Sequence, residues 1–178
     1  MSIFEFLTVA VSIVLALGLS KLISSTPHVF DESKRDWLHA SYFVFLVAAH
    51  IIVWWRIWLL NDVSSWNILQ FVILMGSPLS LYLAATALVS VSPEQVNDWK
   101  AYFQNHSRWI LAALAAVVFF GLARSYFIQE ILPPWWGFLW LALYAGAAYS
   151  KRRAIHISLI VFSLVYVVYL LSRNFTAA

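Results

Sequence analysis

WLHASYFVFLVAAHIIVWWRIWLLN, residues 37–61, decides the fold. It is long enough to cross a bilayer as a helix, which takes about 20 mainly apolar residues. It nevertheless carries His39, His50 and Arg56. His50 falls near the middle of the run, where an ionisable group is costly and is read first as a site. His39 and His50 are 11 positions apart, close to three helical turns, so they share nearly one face. His50 is read either as a proton-relay or solute-contacting group, or as a neutral residue hydrogen-bonding between helices.

The surrounding chain has the same character. Of 178 residues, 63% are hydrophobic and only 11% are charged, against about 25% in an ordinary soluble domain. So few charges cannot cover a water-facing surface. Apolar runs at about 3–23, 37–60, 67–91, 109–128, 135–150 and 154–171 predict an all-α polytopic membrane protein of six transmembrane helices in one domain, 1–178. The first run lacks the positive start and cleavage site of a signal peptide and is expected to be retained. Ser33 and Asp36 have capping-box spacing before the second run.

The third run has no charge and reads MGSPLSLYLAAT at its centre. Pro78 removes a backbone donor and is expected to kink the helix, with Ser77 and Ser80 bonding the freed carbonyls. Kinked helices with polar neighbours at the midplane line transporter sites. Serine patching of a membrane proline accounts for the same residues. Between the third and fourth runs, Ser92, Pro93 and Gln95 form a helix-start pattern, followed by Val96, Trp99, Tyr102 and Phe103 on one side. This predicts a short amphipathic helix at about 93–104, lying on the membrane surface or receiving a partner. Small residues recur every fourth position at Ser12, Ala16, Ser20 and Ser24, and at Gly76, Ser80 and Ala84. Such stripes admit close helix approach, and their number points to a homo-oligomer.

Net charge is +3, but the basic residues are scattered between apolar runs and form no nucleic-acid face. They read as topology signals. Lys21, Lys34, Arg35, Lys100, Arg108, Lys151, Arg152 and Arg153 lie at one set of connections, against Arg56, Arg124 and Arg173 at the other. That places the first set in the cytoplasm and both termini on the non-cytoplasmic side of an inner membrane.

The candidate solute pathway or polar site is therefore His50, His39, Ser77, Ser80, Arg56, Arg124 and Glu5. Arg56 and Arg124 either snorkel to the headgroups or line an outer vestibule with Glu5, where an anion would meet guanidinium groups. Haem between helices would need histidine ligands, and His156 is placed to face His39. There is no cysteine, no P-loop, no HExxH, no GxSxG and no acidic cluster with metal spacing, so neither catalysis nor a bound metal is expected. The leading functional expectation is a small channel or transporter for an ion or solute. A non-catalytic subunit or sensor that binds a protein partner is the alternative, and a cofactor-binding membrane protein the third.

The stretches EFLTVAVSIVLALGLSKLI (5–23), VWWRIWL (53–59) and LSLYLAATALV (79–89) resemble small bacterial six-helix inner-membrane proteins with no assigned activity. The resemblance implies a prokaryotic inner membrane and transfers no functional residue.

Overall fold

The computed structural model describes residues 3–63, 65–90 and 92–174, with side chains described as far as residue 172. Among these residues six α-helices follow in order, α1 Ile3–Val29, α2 Trp37–Ile57, α3 Ile68–Leu88, α4 Trp99–Phe127, α5 Trp135–Tyr149 and α6 Arg153–Asn174. Five of them are long and apolar enough to cross a membrane. The chain is an integral membrane protein.

The helix starts follow from local chemistry. Asp36 caps α2 by accepting the amide of His39 at 3.1 Å. Asn67 and Gln70 satisfy each other's backbone amides in a reciprocal capping box at the head of α3. Asp98 caps α4 through the amide of Lys100 at 2.8 Å. Each cap supplies an acceptor to an amide that has no partner inside its helix.

Several boundaries differ from those read in the sequence. α1 runs on to Val29, past residue 23 and through Pro27. So near the helix end that proline costs one hydrogen bond, while Leu22, Ser25 and Val29 keep the buried register. The carbonyl of His28 is taken up by the indole N–H of Trp99 at 2.8 Å. Ser33 does not cap α2. Its hydroxyl and amide turn back to Asp31, at 2.7 and 2.9 Å, and hold that carboxyl below the usual range.

The surface helix expected at 93–104 is also absent as a separate element. Pro93–Gln95 is a single 3₁₀ turn, and Trp99 begins a helix of 29 residues that runs unbroken through the polar segment. Nothing between Trp99 and Phe127 breaks a helix except Gly121, which a helix tolerates. Trp99 and Phe103 point into the core, 0% and 1% exposed, rather than toward a membrane surface. α5 has only 15 residues, about 22 Å at 1.5 Å per residue, short of a hydrocarbon core of about 30 Å.

α3 is the central helix. It packs on α4, α1 and α2, and its buried residues occupy more than one face. Gly76 makes this possible, because a Cβ there would overlap the ring of Phe120 on α4. α3 stays helical through Pro78, and the hydroxyl of Ser77 donates across to the carbonyl of Val117 on α4 at 3.4 Å instead of to a carbonyl freed by the proline. α5 rests on α4, whereas α6 rests chiefly on α2. The stripe Gly76, Ser80 and Ala84 is consumed inside the bundle, while Ala16, Ser20 and Ser24 face outward. The start of α1 meets the end of α2 through Phe4 and Trp58, ring centroids 6.4 Å apart. The start of α6 meets the start of α2 through Arg153 and Asp36. The chain thus runs back and forth between an Asp36 end and an Arg124 end.

Gly76→Ala should lower the thermal unfolding temperature of the detergent-solubilised protein, since overpacking costs about 1–3 kcal/mol. Gly146→Ala, where a Cβ meets nothing within 4 Å, should leave it unchanged or raise it. Equal effects of the two would contradict the α3–α4 contact.

Candidate functional site

A cavity of about 220 Å³ lies among α2, α4, α5 and α6, with Ser77 of α3 also on its wall. The α2 side is built from residues at helical spacing, Phe45, Ala49, Ile52, Val53 and Arg56. Facing them, α4 contributes Val117, Gly121, Arg124 and Ser125. Trp136, Trp140 and Tyr144 of α5 and Ser163, Tyr166 and Val167 of α6 complete the enclosure.

The polar groups are layered. Arg56 and Arg124 each sit in the last turn of their helix, a position the helix dipole favours for cations. Arg124 is only 8% exposed, and its Nε has no hydrogen-bond partner among the described residues. Both arginines line the same cavity. Among the described residues no aspartate or glutamate lines the cavity. Seven residues back from Leu170 along α6, about 10 Å, Ser163 donates to the carbonyl of Leu159 at 2.7 Å. Its proton being committed there, Ser163 receives the hydroxyl proton of Tyr144 at 2.8 Å. This pair ties α5 to α6 at the deep end.

His50 stands apart from this cavity. It is 2% exposed, and its Nδ1–H donates to the carbonyl of Leu46 at 2.8 Å. A carbonyl can only accept, so Nε2 carries the lone pair. That atom sits against Gly18 of α1, where a Cβ would overlap it, and it has no hydrogen-bond partner among the described residues. Arg56 is six residues further on, which turns it about 120° away around the helix. Arg56, Arg124 and Ser77 of the expected pathway therefore share one cavity, and His50 belongs to the α1–α2 seam. Ser80 is buried but does not line the cavity, and neither does Glu5 in the first turn of α1.

His39 lies at the Asp36 end. Its Nε2–H donates to the carbonyl of Leu88, the last residue of α3, at 2.9 Å. Its ring stacks on Trp99 with centroids 4.5 Å apart. His156 donates Nε2–H to the carbonyl of Ser150 at 2.9 Å. Both imidazoles stand edge-on to Phe103, at 6.4 and 5.7 Å. Ligation of a haem iron through either Nε2 would require breaking these bonds. Among the described residues no three His, Asp or Glu side chains are grouped to hold a metal ion.

One pair at this end was not visible in the sequence. Asp36, 7% exposed, bonds Arg153 with one carboxylate oxygen while capping α2 with the other. The guanidinium also lies over the ring of Trp37, 5.8 Å from its centroid. The signal was an acid before α2 and a base opening α6, at connections assigned to the same side.

Asp36→Asn keeps a side-chain cap but loses the charge pair, and should cost about 1.5–3 kcal/mol in reversible unfolding, the range for hydrogen bonds to charged groups. Asp36→Ala loses the cap as well and should cost about 1 kcal/mol more. No loss in Asp36→Asn would show that the charge pair contributes nothing, and identical losses in the two variants would show the same of the cap.

No family model matches the chain, and no curated protein or solved structure matches it.

Proposed function

We propose that this membrane protein takes up a small anion at the Arg124 end of its bundle, as the binding step of a small channel or transporter. One observation carries the reading. Two arginines, one of them nine-tenths buried, line a single cavity whose wall includes no carboxylate. Leaving a buried guanidinium without a counter-charge is costly, and a bound anion offsets that cost through paired N–H donors. The cavity is smaller than the roughly 300–1,000 Å³ of drug-sized sites, which favours a small solute.

The charge distribution supports a side of entry. Lys34, Arg35, Lys151, Arg152 and Arg153 gather toward the Asp36 end, which the positive-inside rule assigns to the cytoplasm. The anion then enters from the non-cytoplasmic face of an inner membrane. Self-association through the outward Ala16, Ser20 and Ser24 face of α1 is the oligomeric part of this reading. A monomer by native mass spectrometry would remove that part alone.

Radiolabelled acetate and inorganic phosphate, measured by equilibrium dialysis against the solubilised protein, test the proposal. Wild-type protein should bind at least one of them, and Arg124→Gln or Arg56→Gln should weaken binding at least tenfold. His50→Ala should lower stability and leave binding in place. Absence of binding to the wild type, or binding indifferent to both arginines, overturns the reading.

A further inference from the structure

The cavity is not uniformly polar, and its layering restricts the ligand further. At the helix-end layer stand Arg56 and Arg124. Below them the walls are hydrocarbon and indole, formed by Ile52, Val117, Trp140 and Val167. The wall hydroxyls of Ser77, Ser125, Ser163 and Tyr144 are already committed as donors, to Val117, Gly121 and Leu159 carbonyls and to Ser163 respectively. A fully hydrated inorganic ion filling this volume would face hydrogen-bond partners at one end and apolar surface along most of its length. An anion with an apolar body matches both layers.

We infer that the ligand is an amphipathic anion, a carboxylate or phosphate monoester on a short apolar chain, held with its charge between Arg56 and Arg124 and its body against Trp140 and Val167. This rests on the anion reading above and adds the chemistry of the remainder of the molecule. The guanidinium planes suit either headgroup, since both present two oxygens to paired N–H donors. The depth from Leu170 to Ser163, about 10 Å, accommodates a short chain and not a full leaflet of about 15 Å.

Gly121 offers a way to test the apolar layer without touching the arginines. It lines the cavity, and a Cβ built on it meets nothing within 4 Å. Gly121→Phe therefore fills the hydrocarbon layer without displacing a neighbour at Cβ.

The experiment compares acetate, hexanoate, hexyl phosphate and hexanol binding to the full-length protein, wild type, Gly121→Phe and Arg124→Gln. Each methylene withdrawn from water adds roughly fourfold to affinity. Hexanoate should therefore bind at least tenfold more tightly than acetate, and hexanol should not bind measurably. Gly121→Phe should remove the advantage of hexanoate and spare acetate. Arg124→Gln should weaken both acids. Circular dichroism at the helix bands verifies that each variant is folded.

If hexanoate and acetate bind equally and Gly121→Phe changes neither, the amphipathic inference fails while the anion reading stands. If no acid binds and Arg124→Gln has no effect, both fail. Two sources of this chemistry are separated by moving the wild type into nanodiscs. Displacement of hexanoate by phosphatidylglycerol, and not by phosphatidylcholine, shows that the site takes a long-chain phosphodiester lipid and overturns the short-chain inference. Indifference to both lipids assigns it to a dissolved acid.

Discussion

The bond between Asp36 and Arg153 is the constraint that sets where α6 stands, and with it one wall of the cavity. α6 leans mainly on α2 and touches α5 sparsely. Lipid tails are as apolar as leucine, so burying aliphatic side chains between helices supplies little drive in a bilayer. Polar fastenings must fix the position of α6 instead. Asp36 holds its first residue, the hydroxyl of Tyr42 donates to the carbonyl of His156 at 3.3 Å, and Tyr144 meets Ser163 further along. These three contacts hold in place the wall that carries Ser163, Tyr166 and Val167. The cavity exists only because that wall stands off from α4 while remaining tied to α2 and α5.

The two ends of the molecule treat their buried polar groups differently. At the Asp36 end the charges are paired within the chain, although His39 Nδ1, His156 Nδ1 and Arg153 Nη1 have no hydrogen-bond partner among the described residues. The carboxylate serves two donors, the histidines spend Nε2 on carbonyls, and Trp99 closes the last carbonyls of α1. At the Arg124 end two guanidinium groups share a hollow with hydroxyls and indoles but no carboxylate. The buried cation at one end is thus paired with a carboxylate, and those at the other face a cavity.

How much of this was legible follows from what spacing encodes. Apolar length revealed the helices, because the bilayer imposes it directly. Arg56 and Arg124 stood out because cations are rare in such runs. Face relations within one helix were readable too, and Phe45, Ala49, Ile52 and Arg56 do lie on one face. Which neighbour each face meets was not. His50 and Arg56 were grouped as ionisable residues of one apolar run, yet the turn between them sends one to α1 and the other to the cavity. Trp99 and Phe103 were read as one side of a surface helix, and only their neighbours on other helices, His39, Tyr42 and His156, make them core. The pairing of Asp36 with Arg153, 117 positions apart, has no local signature at all.

The short helix α5 has a consequence for the surrounding lipid. Its outer side, with Trp135, Phe138, Leu139 and Leu143 exposed, presents a hydrophobic wall about 22 Å tall, whereas the apolar runs of α1 and α4, residues 3–23 and 109–127, present walls about 30 Å tall. Acyl chains touching α5 must shorten or splay, at a fraction of a kcal/mol per ångström of mismatch. The annulus around the protein is therefore uneven, dimpled on one flank, and thinner bilayers fit that flank better than thick ones.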